Sequence, residues 1–149
     1  MKGILVDSSL LVRIIIYKDE YLYRKLSKYR VFVPVNAIEE ACYRIIISII
    51  GEKLNTEKFY EIKEAWEKGI EAEEIEKRLT VFSDVLSNFI ILPINDEIIL
   101  DSFTIQIKYK LLPNDALIAA SCKYYGIFKI ATFDKDFERI DFLEMVKIS

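Results

Sequence analysis

A scattered set of acidic residues stands where a chain tends to build a ligand site. Asp7 closes the apolar run Lys2 to Val6, and Glu39 and Glu40 lie just past a second run, Val31 to Val35. Asp115 opens a stretch of small and apolar residues, and Asp134 and Asp136 follow a further apolar run, Phe128 to Thr132. Singly, each has an ordinary explanation: Asp caps helices, acids in a first helical turn answer the helix dipole, and Asp favours turns. Jointly they sit near strand ends, and open parallel sheets bind ligands outside the carboxyl ends of their strands, where strand order reverses. Carboxylates converging there repel one another and hold their protons unless a cation neutralises them. An all-oxygen donor set selects Mg²⁺ or Mn²⁺ over Zn²⁺. Such ions activate water and stabilise the leaving oxygen of a phosphodiester.

The remaining composition narrows the chemistry further. The chain has no histidine, which excludes Ser-His-Asp and Cys-His catalysis and zinc sites built on histidine. Cys42 and Cys122 lie in apolar helical contexts without metal-like spacing, and read as buried free thiols. A glycine-rich phosphate loop is absent, which argues against a nucleotide triphosphatase. At 149 residues and 52% hydrophobic, the chain reads as a single domain, 1–149, with an ample core. The net charge of −3 argues against holding nucleic acid by bulk charge, but not against a local basic patch or phosphate contacts through cations. Ile4 to Val6 is too short for a signal peptide. Ile45 to Ile50, interrupted by Ser48, is far short of the ~20 residues of a membrane helix. The expectation is a soluble, cytoplasmic protein with no membrane partner.

The elements that must position the acids follow from periodicity and punctuation. Lys2 to Val6, Val31 to Val35, Phe89 to Ile94, Phe128 to Thr132 and Met145 to Ile148 read as strands. Between them the pattern predicts helices over Leu10 to Ile16, Ala37 to Ile50 (capped by Asn36, closed by Gly51), Glu97 to Lys110 and Asp115 to Tyr125. Pro113 and Asn114 should break the chain before the last of these, and Gly126 should cap its end. Asn55 to Asn88 reads as an antiparallel helical pair broken near Gly69 and Ile70, and Asp134 to Ile140 as a short turn or helix. Continuously apolar strands alternating with helices imply a parallel sheet covered on both faces, an α/β fold.

Four stretches, GILVDSSLLV, PVNAIEEACYR, PNDALIAASCKYYG and KIATFDKDFERI, together resemble the PIN-domain family. The pairing of a D-A-x-I-A-A helix with a following T-x-D-x-D-F turn is the most specific part. The resemblance implies an α/β/α sandwich with a mainly parallel five-stranded sheet, and Mg²⁺- or Mn²⁺-dependent ribonuclease activity. Small members of this family are often toxins of toxin–antitoxin pairs, homodimeric and neutralised by an antitoxin protein. Position by position, the resemblance assigns the metal-binding and catalytic acids to Asp7, Glu40, Asp115 and Asp134, with Glu39 as the alternative to Glu40. In supporting places stand Thr132, Asp136 (a further acid or a turn cap), Ser8 or Ser9 beside Asp7, and Asn114, whose amide can bond a neighbouring acid.

An RNA substrate needs cationic steering, for which Arg13, Arg44, Lys108, Lys110 and Lys123 are the candidates, interleaved with Tyr109, Tyr124 and Tyr125 for stacking. A solvated helix face is the alternative reading of the same residues. Mean hydropathy of +0.19 suggests apolar surface for a homodimer or an antitoxin, through the Phe59, Trp66 and Phe82 helices, or else an oversized core. Two other functions remain open. One is a catalytically silent RNA-binding or assembly module of the same fold. The other is a phosphoryl-accepting aspartate domain with Asp7 as nucleophile, although the acid such phosphatases place two residues on is Ser9 here.

Overall fold

The computed structural model describes residues 1–148. Within these residues, five strands form one sheet: β1 (Gly3–Val6), β2 (Arg30–Pro34), β3 (Ile90–Leu92), β4 (Lys129–Ala131) and β5 (Glu144–Met145). Their order is β3-β2-β1-β4-β5, and every pairing is parallel. Successive strand residues point to opposite faces, yet Ile4, Leu5 and Val6 are all fully buried, so helices cover β1 on both sides. The result is an α/β/α sandwich with an all-parallel sheet. Strand order reverses between β1 and β4, the point from which the chain winds outward in both directions.

Among the described residues, seven helices connect the strands: α1 (Ser8–Ile15), α2 (Glu20–Leu26), α3 (Val35–Leu54), α4 (Phe59–Glu67), α5 (Ala72–Leu86), α6 (Asp96–Tyr109) and α7 (Pro113–Tyr125). A 3-10 turn spans Lys135–Arg139. Asp7 caps α1 by accepting the Ser9 N–H, and Asn95 caps α6 by accepting that of Ile98. The small residues of α7, Ala116, Ala119 and Ala120, are buried with Ile118 and Cys122, which lets α6 pack along it. Cys122 and the half-buried Cys42 are both free thiols, and burial pushes each thiol pKa up.

Several boundaries differ from the sequence reading, each for a local reason. Asn36 does not cap α3; the helix begins at Val35 behind Pro34, and the Asn36 side chain is engaged elsewhere. Gly51 does not close α3, which runs on to Leu54 and ends at Asn55 in the left-handed region, φ 52°. Asn tolerates that conformation because its short polar side chain bonds locally. Gly51 instead allows the chain to fold back, since a Cβ there would stand 3.0 Å from the Thr56 carbonyl oxygen. Pro113 and Asn114 do not break the chain but form the first turn of α7, where proline's missing N–H costs nothing. The last strand lies earlier than Met145 to Ile148, pairing Glu144 and Met145 with Lys129 and Ile130. The short α2, capped by Asp19, has no counterpart in the sequence reading. Among the described residues, no helix is long and apolar enough to cross a membrane.

Candidate active site

The switch point brings the carboxyl ends of β1 and β4 side by side, with Leu5 opposite Ile130 and Val6 opposite Ala131. The next residues outward are therefore Asp7 and Thr132. The Thr132 hydroxyl donates to Asp7 Oδ2 at 2.5 Å and accepts the backbone N–H of Asp134 at 2.9 Å. Asp7 Oδ1 accepts from the Ser9 hydroxyl at 2.6 Å and from the Ser9 N–H at 3.1 Å. Burial pushes the Asp7 carboxyl pKa up, and the hydrogen bonds from Ser9, Thr132 and the Leu10 N–H oppose that rise.

Glu40 approaches from α3. Its Oε2 accepts from the Ser8 hydroxyl at 2.7 Å and from the Asn114 side-chain amide. Ser8 thus serves Glu40, while Ser9 serves Asp7. Glu39 is exposed, and of the two neighbours Glu40 is the one turned inward. Asn36, one helical turn before Glu40 on α3, donates through Nδ2 to Asn114 Oδ1 at 2.8 Å and to the Asn114 carbonyl at 3.1 Å. The order of these bonds is dictated by charge. A carboxylate only accepts, so Asn114 must turn its NH₂ toward Glu40 and its oxygen toward Asn36. Asn36 must then present its own NH₂, which leaves its Oδ1 buried and unpartnered among the described residues.

Asp115, in the first turn of α7, meets Asp134 and Asp136 from the loop after β4. Each of the three offers an oxygen, and these atoms all lie within 4.8 Å of one another. Burial, then the charges of Asp134, Asp7, Glu40 and Asp136, push the Asp115 pKa up to about 7. Asp7 and Glu40 therefore face Asp115 electrostatically from outside the close trio. Asp134 Oδ1 also accepts the Asp136 N–H at 2.9 Å, fixing the turn that presents both acids. An oxygen-only set this close is costly on its own, and its spacing and chemistry fit a hard divalent cation bound directly by some carboxylates and through water by others.

The expected acids Asp7, Glu40, Asp115 and Asp134 thus converge, with Thr132, Ser8 and Asn114 bonded among them and Asp136 part of the cluster. Asn36 as a site residue, and the division of labour between Ser8 and Ser9, go beyond the sequence reading. The available signal for Asn36 is its i, i+4 spacing from Glu40, which places both on one helix face.

The cationic candidates are dispersed. Arg13 on α1 is exposed, with its Nε 3.2 Å from Asp19 Oδ2 and its guanidinium over the Phe133 ring at 5.3 Å. Arg44 is exposed on α3, one turn past Glu40. Lys108 lies over the Tyr109 ring, Lys110 ends α6 with positive φ, and Lys123 pairs with Asp101 at 3.7 Å. Of the tyrosines, Tyr109 donates to Asp141 and Tyr125 to the Pro93 carbonyl, so both hydroxyls are anchored within the fold.

Against this geometry, the profile of the PIN domain family matches residues 4–143. Ribonuclease VapC6 of Methanocaldococcus jannaschii is 33% identical over 156 residues, covering 97% of each chain. Ribonuclease VapC2 of the same organism is 51% identical over 70 residues, a match that spans about half of each chain, 47% of both. Among solved structures, a toxin–antitoxin complex from Klebsiella pneumoniae superposes with a TM-score of 0.62 at 18% identity, covering 98% of each chain, a likeness of fold.

Proposed function

The chain belongs to the PIN domain family, and from that premise and its gathered carboxylates we propose that it is a divalent-metal-dependent endoribonuclease, the toxin of a toxin–antitoxin pair. The observation that carries this reading is the convergence of Asp115, Asp134 and Asp136, with Asp7 and Glu40 behind them, at the switch point of a parallel sheet. The names of the relatives support the same reading: two are ribonucleases, and the Klebsiella neighbour is a toxin–antitoxin complex.

Asp7, Asp115 and Asp134, with Glu40 and Asp136 beside them, would hold Mg²⁺ or Mn²⁺. Such a cation supplies a lowered pKa for the attacking water and stabilisation of charge on the phosphoryl oxygens. The protein's own part is positional and protonic. Ser9 and Thr132 fix both oxygens of Asp7, and Ser8 and Asn114 fix Glu40, so the acids lose little freedom on binding. Water attacks phosphorus, the bond to the leaving oxygen breaks, a carboxylate oxygen of the cluster takes the water's proton, and solvent returns one to the leaving oxygen.

An antitoxin and a second copy of the chain are the proposed partners. Of the residues named for this role in the sequence reading, Phe82 is 2% exposed and belongs to the core, whereas Phe59 and Trp66 are exposed on α4. α6 offers a further apolar stripe. This helix packs on α7, buries Ile98, Ser102 and Ile105, and leaves Ile99, Leu100, Phe103 and Ile107 in water. That apolar stripe at helical spacing is the surface a homodimer would cover.

The test is cleavage of single-stranded RNA with Mn²⁺, with Mg²⁺ and with EDTA, run beside Asp7→Asn. Cation-dependent cleavage that the variant lacks supports the proposal. RNA binding without cleavage under every condition favours the silent module instead.

A further inference from the structure

Phe133 is an apolar side chain in an unusual place. It is 50% exposed, yet it stands between Thr132 and Asp134, both fixed within the acidic site. Its own backbone N–H donates to Ser9 Oγ at 3.0 Å, the hydroxyl that also bonds Asp7. Three successive residues are therefore clamped at the rim of the crevice, and the ring moves only about its own side-chain torsions. Folding does not require it there, since a polar residue at a solvent-facing loop position avoids leaving apolar surface in water.

The ring has a defined companion. The Arg13 guanidinium lies 5.3 Å from its centroid, and Asp19 holds Arg13 through Nε. The Asp19 bond uses one edge of the fork, and the Nη groups remain for an anion. An exposed aromatic face beside an oriented guanidinium joins the two chemistries that hold unpaired nucleotides, base stacking and phosphate pairing.

We propose that Phe133 and Arg13 form a subsite for the nucleotide flanking the scissile phosphate, with the base stacked on Phe133 and its phosphate on Arg13. The proposal rests on the ribonuclease reading and adds the substrate feature the site would read. A base inside a duplex is already stacked on its neighbours, so this subsite selects single-stranded or looped RNA.

The experiment measures binding of a short fluorescein-labelled single-stranded RNA by anisotropy, with Mn²⁺, in an Asp7→Asn background so that the RNA stays intact. Phe133→Leu should weaken binding about tenfold and Phe133→Tyr should restore it, in line with the usual worth of a base–aromatic stack. An RNA carrying one abasic residue beside the cleaved bond should lose the same factor against the protein that retains Phe133. Against the Phe133→Leu variant the abasic RNA should lose nothing further. With the active enzyme, Phe133→Leu should raise KM and leave kcat nearly unchanged. Thermal melts confirm that each variant folds. If the otherwise unsubstituted protein cleaves RNA but Phe133→Leu binds it as tightly, or the abasic and Phe133→Leu losses multiply independently, the subsite is refuted and the ring serves another surface such as a protein partner. If the unsubstituted protein cleaves no RNA with either cation, the ribonuclease reading falls and the subsite falls with it.

Discussion

Replacing Asp115 by Asn should make the cation-free protein more stable, not less. Burial first, and the charges of the surrounding acids second, raise the Asp115 pKa from an ordinary 3.8 to about 7. Below about pH 4 the folded and unfolded chains both hold this proton, and Asp and Asn are equivalent. Between about pH 4 and pH 7 the unfolded chain has released it while the folded chain retains it, so stability falls as pH rises. Above about pH 7 the penalty is complete and constant. At about 1.4 kcal/mol per pKa unit, the whole difference has a ceiling of about 4 kcal/mol. Asp115 is only half-buried, and solvent screening reduces this to about 1–2 kcal/mol. In a chain of this size that corresponds to a melting temperature higher by about 5 °C in Asp115→Asn. Differential scanning fluorimetry in EDTA at pH 4, 6 and 8 is the assay: the gap should be absent at pH 4 and widest at pH 8. Added Mn²⁺ should then favour the unsubstituted protein, by about 2.7 kcal/mol at a hundredfold excess over Kd. A variant less stable at pH 8 in EDTA, or a gap that ignores pH, would show that burial and the neighbouring acids do not hold the proton on Asp115.

Further outcomes follow from the same contacts. Asn114→Leu strands the Asn36 amide and removes a donor from Glu40, and should cost about 1–3 kcal/mol by urea denaturation together with weaker Mn²⁺ binding by calorimetry. Asp134→Asn should abolish Mn²⁺-dependent RNA cleavage while leaving the far-UV circular dichroism spectrum unchanged. Phe103→Glu with Ile107→Glu should convert a dimer to a monomer in sedimentation at micromolar concentration; an unchanged mass would remove the α6 stripe from the interface. Arg13→Gln should lower the slope of log affinity against log salt for single-stranded RNA by about 0.7, the share of one phosphate contact, and an unaltered slope would count against that contact.

The acids are readable because each follows an apolar run whose length and flanking residues declare a buried strand or helix, and such runs place their ends predictably. What the sequence conceals lies in competition between local and distant partners. An Asn before a helical run usually caps it, but Asn36 is one residue inside α3 and bonds a residue 78 positions away. Asp136 is ambiguous between turn cap and ligand because only the approach of α7 brings Asp115 against it. Pro113 and Asn114 look like a break because proline interrupts helices everywhere except the first turn. The short α2 buries only Leu22 and Leu26, too little periodicity to register. Arg13 is visible as a charge, but nothing marks Phe133 until the fold sets one beside the other.

The order in which these acids leave the ribosome bears on when the pocket can exist. Asp7 and Glu40 are synthesised early, and Asp115, Asp134 and Asp136 much later. β4, the strand that sets Thr132 against Asp7, is itself inserted between β1 and β5. A nascent chain that has not yet reached β4 has half a pocket and no staple across it. On the ribonuclease reading, the nascent polypeptide thus gains its hydrolytic power only once β4 and the loop after it are made, because the blade is finished by a segment made long after its first edge.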